Sequence, residues 1–164
     1  PRVGPMQLRE PRERVSPRAR TMWAATAAVE GLTIVVALAV AGPITAWLPL
    51  PWWLVGVAAL LTVAYVVVVP SWRYAVHRWE VTDTAVYTQT GWWARERRIA
   101  PMSRIQTVDH VEGAVSRLFG LSTVTVTTAS AAGALEIAGL DRQRALALVD
   151  ELTLMADSVP GDAT

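Results

Sequence analysis

The chain has 164 residues, of which 52% are hydrophobic, and its formal net charge at pH 7 is only +1. It contains no cysteine, which excludes disulfides, thiolate catalysis and cysteine-based zinc sites. From residue 71 onward nine arginines face eleven acidic residues, a net charge of −2, which makes this part a poor candidate for nucleic-acid binding.

A long apolar run over residues 22–70 organises the first half of the chain. Its single formal charge is Glu30, and two prolines interrupt it near the middle. Residues 22–48 would form a helix of about 40 Å and residues 51–69 one of about 28 Å, against a hydrocarbon core of about 30 Å. The sequence therefore predicts a transmembrane helical hairpin over residues 22–70.

Arginines flank this run on both sides. Residues 1–21 carry six arginines against two acids, a net charge of +4, and Arg73 and Arg78 follow the second helix. Cytoplasmic flanks of membrane helices are enriched in basic residues. We therefore expect a multi-pass membrane protein with both termini in the cytoplasm. Residues 1–21 are predicted to form an unstructured arm, which either lies along anionic headgroups or only fixes the topology.

Glu30 is the anomaly of the apolar run, because it lies ~12 Å below the expected cytoplasmic boundary. A carboxylate there costs about 2.5–3.5 kcal/mol, so it should be protonated, paired or turned toward other protein. One interpretation is a neutral Glu30 that hydrogen-bonds Thr62 or Tyr65 within the hairpin. Another is a contact with a partner subunit. A proton relay is a third, which the absence of a second acid in either helix disfavours.

Both predicted helices carry small residues, which let membrane helices approach each other closely. Ala27, Gly31 and Gly56 could pack the hairpin on itself or dock it on another membrane protein. Together with Glu30 they form the candidate partner-binding set.

After residue 70 the apolar run gives way to short alternating segments, typical of strands with one buried face. Six strands are predicted, over residues 72–81, 85–90, 93–100, 105–111, 122–128 and 135–138, with a helical turn at 115–119. An amphipathic helix follows Asp141, with one apolar face formed by Ala145, Leu148, Val149, Leu152 and Met155. The fold class is therefore α+β, with a soluble domain over residues 71–157 and a disordered tail at 158–164.

Two short segments carry a resemblance to a known family. Residues 104–108 read Arg-Ile-Gln-Thr-Val, and residues 116–124 read Ser-Arg-Leu-Phe-Gly-Leu-Ser-Thr-Val. With the preceding Gly91 and the Arg-Arg-Ile-Ala-Pro of residues 97–101, they resemble the bacterial pleckstrin-homology-like (PH-like) domains of the YdbS type. The resemblance covers roughly residues 20–155. It implies a PH-like β-roll capped by a C-terminal helix, behind two membrane helices, in the bacterial inner membrane. It implies little about activity.

The signature residues have structural roles that the sequence suggests directly. Leu118, Phe119 and Leu121 are expected to plug the end of the roll. Gly120 is expected to permit the turn into the next strand. Arg117 is expected to pair with Asp109 or Glu112.

Two further signature residues, Arg104 and Gln106, are expected to hydrogen-bond across the sheet.

One stretch of the soluble part suggests lipid binding. Two tryptophans at the tip of a β-hairpin, followed by three arginines, could enter the headgroup layer and pair with phosphates. The alternative is tryptophans packed under a loop and arginines on a solvated strand face. This candidate lipid-binding set comprises Trp92, Trp93, Arg95, Arg97 and Arg98.

Catalysis has little support in the sequence. His77 and His110 are the only histidines, neither stands in a metal-ligand spacing, and no nucleophile elbow or phosphate-binding loop is present. We expect no cofactor and no metal. The leading hypothesis is a non-enzymatic adaptor or accessory subunit that binds an integral membrane protein or complex, with another PH-like family member as one candidate. The alternative is an anionic-lipid headgroup sensor that acts through residues 92–98 and the arginine-rich N-terminus.

Overall fold

The computed structural model describes residues 10–44, 51–129 and 133–158. The predicted break between the membrane helices, the end of the predicted tail and the first nine residues of the predicted arm lie outside these ranges.

Two long apolar helices dominate the first half of the chain. Helix α1 runs over Pro17–Ile44 and helix α2 over Trp52–Val76. Spans within them, Pro17–Gly42 and Trp52–Val76, have mean hydropathies of 2.0 and 2.3, and both are long and apolar enough to cross a membrane. We call α1 and α2 together the membrane hairpin.

Helix α1 begins several residues earlier than the apolar run. A serine followed by a proline starts it: the Arg18 N–H donates to Ser16 Oγ at 3.3 Å, and Pro17 occupies the first helical position. Serine at the N-cap and proline at the first helical position are favourable because they satisfy or remove unpaired N–H groups. The Ser-Pro pair was therefore a usable helix-start signal.

Helix α2 continues past Pro70, so the strand predicted over residues 72–81 is wrong up to Val76. The Ser71 hydroxyl donates to the Val67 carbonyl at 2.8 Å in the turn around the proline. At the end of the helix, the backbone N–H of His77 donates to the Arg73 carbonyl at 2.8 Å. Continued backbone pairing thus outweighs the interruption that proline usually causes.

The chain divides into two compact units, one of residues Arg20–Trp72 and the other of residues up to Ala19 together with those from Arg73 onward. In the second unit, residues 10–19, here called the N-terminal segment, are packed rather than unstructured. Val15, Ser16 and Ala19 are buried. The expectation of an unstructured arm is therefore wrong for this segment.

A four-stranded antiparallel sheet contains the N-terminal segment. Its strand order is β1-β2-β3-β4, and its strands are β1 (Glu13–Arg14), β2 (Arg78–Val81), β3 (Ala85–Thr90) and β4 (Glu96–Pro101). Glu13 pairs with Trp79, and Arg14 with Arg78. Because β1 precedes the membrane hairpin and β2 follows it, the hairpin is an insertion between two paired strands of one domain.

The second sheet is three-stranded and antiparallel, with strands β5 (Ile105–Val111), β6 (Leu121–Thr128) and β7 (Leu135–Asp141). A short helix, α3 (Ala114–Leu118), joins β5 to β6, and helix α4 (Arg142–Ser158) ends the described chain. The buried face of α4 includes Ala145, Leu148 and Leu152, as the spacing predicted. This confirms the predicted fold class, a transmembrane hairpin with a PH-like β-roll and a C-terminal helix.

Strand β4 starts at Glu96 rather than at residue 93, because a tight turn precedes it. Gly91 has φ +114°, and a Cβ at this position would collide with the Ala94 carbonyl oxygen. Only glycine adopts such a conformation at little cost.

The N-terminal segment is fixed at its end by what we call the Ser16 latch. The Ser16 N–H donates to the Gly139 carbonyl at 2.8 Å, and the Ser16 hydroxyl donates to Asp141 Oδ1 at 3.0 Å. The Arg18 guanidinium lies 3.5 Å from the same carboxylate oxygen. The start of α1 is thereby tied to the junction of β7 and α4.

The Ser16 latch predicts a measurable coupling between Ser16 and Asp141. Ser16→Ala should destabilise the protein by about 1 kcal/mol through loss of the helix cap. The double variant with Asp141→Ala should deviate from additivity by about 0.5–1.5 kcal/mol, measured by denaturant unfolding in micelles. Thr153→Ala, whose hydroxyl donates to a backbone carbonyl of α4, is the matched control. Strict additivity of Ser16→Ala and Asp141→Ala would contradict the latch.

Candidate functional sites

The four residues of the candidate partner-binding set have different surroundings. Ala27 is buried. A Cβ at Gly31 would collide with the Thr62 side chain, whose Oγ1 would lie 2.9 Å away. A Cβ at Gly56 would meet nothing within 4 Å. Gly31 thus serves the contact between α1 and α2, whereas Gly56 faces open space.

Glu30 is exposed on α1, in the middle part of the apolar span. Its carboxylate makes no hydrogen bond or ion pair with any residue in the described ranges, so the internal bond expected to Thr62 or Tyr65 is not formed. The hydroxyls of Thr26 and Thr33, one helical turn from Glu30 on either side, donate to backbone carbonyls. Thr26 donates to the Met22 carbonyl at 2.7 Å, and Thr33 donates to the Val29 carbonyl at 2.8 Å. The acid therefore points outward from the membrane hairpin.

The two tryptophans of the candidate lipid-binding set lie in the tight turn between β3 and β4, here called the Trp turn (residues 91–95). Trp93 is 88% exposed and Trp92 47%. Their rings meet edge to face with centroids 6.0 Å apart. The alternative in which both tryptophans pack beneath a loop is therefore wrong for Trp93.

The three arginines of the same set hold other segments in place. Arg95 and Arg97 lie 3.8 and 3.3 Å from Glu10 Oε1 in the N-terminal segment. Arg97 also donates to Gln89 Oε1 at 2.9 Å.

Arg98, the third, donates to Glu96 Oε1 at 2.7 Å and to the Ala134 carbonyl at 3.1 Å. The three arginines thus tie β4 to the segments around it.

An open groove of about 620 Å³ lies beside the Trp turn. Arginines and acids both line it, and its charged or aromatic members are Arg73, His77, Trp92, Glu96, Arg98 and Glu136. Its mixed charge suits polar ligands of either sign. Within residues 10–44, 51–129 and 133–158, no cluster of three histidine or acidic side chains is placed to hold a metal ion.

His77 lines this groove, and its environment perturbs the pKa of its imidazole. Burial lowers the pKa of the His77 imidazole below its ordinary value, and the nearby Arg73 charge acts in the same direction. Its Nδ1 lies 2.8 Å from the Arg73 carbonyl oxygen, which can only accept, so Nδ1 is the protonated ring nitrogen. The neutral imidazole thereby caps the last turn of α2.

The signature segment around α3 is organised by Glu112. Its carboxylate lies 2.8 Å from Arg142 Nε and 3.8 Å from Arg117 Nε, and it accepts from the Ser122 hydroxyl at 3.4 Å. Of the two acids expected for Arg117, the partner is Glu112. This carboxylate ties α3 to β6 and to the start of α4.

Leu118 does not plug the roll as expected, because its side chain is 84% exposed. It ends the short helix α3, which has no buried residue. Phe119 is half-buried, and Gly120, with φ +66°, turns the chain so that Leu121 enters the core.

Arg104 lies just before β5 and Gln106 within it, and both residues are exposed. The Arg104 carbonyl accepts from the Ala129 N–H at 3.1 Å, a contact of the backbone and not of the side chain. The strand register shifts between Ile105 and Thr107, which makes Gln106 the extra residue of a β-bulge. Gln106 thus forms a β-bulge, whereas a hydrogen bond of its side chain across the sheet was expected.

Sequence comparison now places this architecture in a family. The bacterial PH domain family matches residues 24–156, so the chain belongs to that family and the resemblance of its signature is confirmed. The chain is 30% identical over 145 residues to the UPF0699 transmembrane protein YdbS of Bacillus subtilis (strain 168). That alignment covers 82% of this chain and 89% of the relative.

No solved structure matches the chain significantly. The family and the named relative together identify a membrane protein with a bacterial PH domain, and neither is described as an enzyme.

The contact of Gly31 predicts that two glycines respond differently to the same change. Gly31→Ala should destabilise the protein by about 1–3 kcal/mol, because the new methyl group overpacks against Thr62. Gly56→Ala, with open space around it, is the matched control and should be close to neutral. Thermal unfolding in micelles measures both, and adding Thr62→Ala should rescue Gly31→Ala. Equal effects of the two glycine variants would contradict this packing.

Burial of His77 predicts a loss of stability at acidic pH. In the unfolded chain the His77 imidazole becomes protonated with a pKa of about 6.5, and in the folded chain its pKa is lower. The full contribution of neutral His77 to the free energy of unfolding is therefore present above about pH 6.5, and this contribution is lost as the pH falls below that value. The melting temperature in detergent should decrease on acidification, and His77→Gln should reduce that decrease. His110→Gln, which replaces the other histidine, should retain it. An undiminished decrease in His77→Gln would refute the assignment.

Proposed function

We propose that this protein is a non-enzymatic membrane adaptor or accessory subunit, whose hairpin docks on another integral membrane protein and whose PH-like domain lies at the cytoplasmic face. The observation that carries the proposal is the outward-facing Glu30, which has no hydrogen-bond partner among the described residues.

The energetics of Glu30 favour a protein partner. A carboxylate at this depth costs about 2.5–3.5 kcal/mol unless its surroundings compensate. The neighbouring hydroxyls of Thr26 and Thr33 do not compensate, because both donate to backbone carbonyls. A donor on another membrane helix would offset the cost. Another member of the PH-like family is one candidate for that partner.

The connectivity of the domain supports a cytoplasmic position for both of its chain ends. Strands β1 and β2 pair with each other although the hairpin separates them. Because the hairpin crosses the membrane twice, the chain returns to the side of the membrane on which β1 lies. Arginines flank both outer ends of the apolar run, as is usual on the cytoplasmic side.

Binding of anionic headgroups through the Trp turn is a second candidate function, and one observation favours it. Trp93 is 88% exposed on a tight turn, which is an unusual position for an indole in water. Two of the N-terminal arginines lie beside other side chains of the domain. Arg12 lies 3.9 Å from Glu80, and Arg14 lies over the Tyr74 ring at 6.0 Å.

One purification tests both candidates. The full-length protein is isolated from its native membranes in a gentle detergent, and co-purifying proteins and lipids are identified by mass spectrometry. A membrane protein should co-purify with the wild type in stoichiometric amount, and Glu30→Leu should abolish this co-purification. Leu60→Ala, a change of an exposed residue of α2, is the control and should retain the partner. Retention of every partner by Glu30→Leu would contradict the proposed docking.

The lipid fraction of the same preparations addresses the second candidate. Enrichment of one anionic lipid that Trp92→Ser and Trp93→Ser abolish, with no protein partner, would instead favour the headgroup sensor.

A further inference from the structure

We infer that the corner of the domain around Leu118 is a membrane-contact site, in which Leu118 enters the headgroup layer and neighbouring arginines bind lipid phosphates. This site is separate from the Trp turn and does not depend on the adaptor proposal. We call it the Leu118 corner, and define it by Leu118, Arg117, Arg142 and Arg18.

Leu118 is the first observation. At 84% exposed it is the most exposed aliphatic side chain of the described domain outside the membrane span. Val111 and Val115, which precede it along the chain, are 51% and 44% exposed. Scattered apolar side chains are normal on a surface, but a leucine at the apex of a turn with two exposed valines nearby in sequence indicates a contact surface.

The second observation fixes this corner beside the point where the chain leaves the domain for α1. Gly120, two residues after Leu118, accepts a hydrogen bond from the Arg142 N–H at 3.1 Å. A Cβ at Gly120 would lie 3.5 Å from Arg18 Nη1. The Ser16 latch holds Arg18 there.

Arg18 is only four residues before the apolar run, about 6 Å of helix. The headgroup layer on each side of a bilayer is of similar thickness, about 5–8 Å. The Leu118 corner therefore lies beside Arg18, at the end of the domain's N-terminal segment and only a few residues before the apolar run.

The third observation is the charge around Leu118. The side chains of Arg18, Arg117 and Arg142 are 67%, 70% and 63% exposed, and the carboxylates of Asp141 and Glu112 lie within 4 Å of them. A guanidinium carries five N–H donors in a fixed fork, so an arginine that pairs with one carboxylate retains donors for a phosphate.

The space for a headgroup is also present. An open cavity of about 720 Å³ is bordered by three arginines and one acid, namely Arg18, Arg142, Arg144 and Asp141. Leu118 and this arginine-lined cavity together fit the interface of a bilayer that contains anionic phospholipid. The leucine side chain would be buried at the boundary of headgroups and acyl chains, and the arginines would bind the phosphates.

Site-specific fluorescence quenching tests the inference. Because the sequence contains no cysteine, a single introduced cysteine is the only thiol that the fluorophore can label. Leu118→Cys in the full chain is labelled with an environment-sensitive fluorophore. The protein is then placed in nanodiscs of phosphatidylcholine, with or without phosphatidylglycerol, that contain lipids carrying a quencher near the carbonyl groups. Leu154→Cys is the control, since Leu154 is 71% exposed and lies twelve residues into α4 from Arg142.

The label at residue 118 should lose more fluorescence than the label at residue 154, and the loss should increase with phosphatidylglycerol. Arg18→Gln combined with Arg117→Gln should remove that increase. Quenching at residue 118 no stronger than at residue 154 would overturn the inference. Strong quenching that is equal with and without phosphatidylglycerol would overturn the role of the arginines but retain that of Leu118.

Discussion

The structure depends on the pairing of a two-residue strand with a strand that lies beyond the membrane hairpin. Glu13 and Arg14 add to the exposed edge of β2, and the Ser16 latch fixes the chain just after them. The pairing covers an edge that would otherwise present unpaired backbone groups. It also means that the PH-like domain is complete only when chain from both sides of the hairpin is present.

This arrangement constrains what the hairpin can do. Both of its ends leave from one folded domain, so it behaves as a long membrane-inserted loop. Gly31 accounts for the internal contact of the two helices, whereas Glu30 and Gly56 remain on the outside. A carboxyl group that faces outward at membrane depth is costly unless it is protonated or paired, and pairing with another protein is the physical basis of the adaptor proposal.

Sequence reasoning succeeded where the signal was local. Hydropathy predicted both membrane helices, and periodicity predicted β3, β5 and the buried face of α4 with accurate bounds. It failed where the cause was distant. Strand β1 is two residues long and its partner lies more than sixty residues away, so no local pattern marks it. For the candidate sites, the tryptophans were placed at a turn correctly, but the exposure of Leu118 follows from packing that no local pattern encodes.

Cysteine accessibility tests the central claim, the insertion of the hairpin between β1 and β2, most directly. Arg12→Cys, beside β1, and Leu154→Cys, on α4, are introduced singly into the cysteine-free chain and exposed to a membrane-impermeant maleimide. Both sites should react in inside-out vesicles and neither in intact cells, because the two positions belong to one domain. Labelling of the two positions from opposite sides of the membrane would contradict the strand pairing and the architecture built on it.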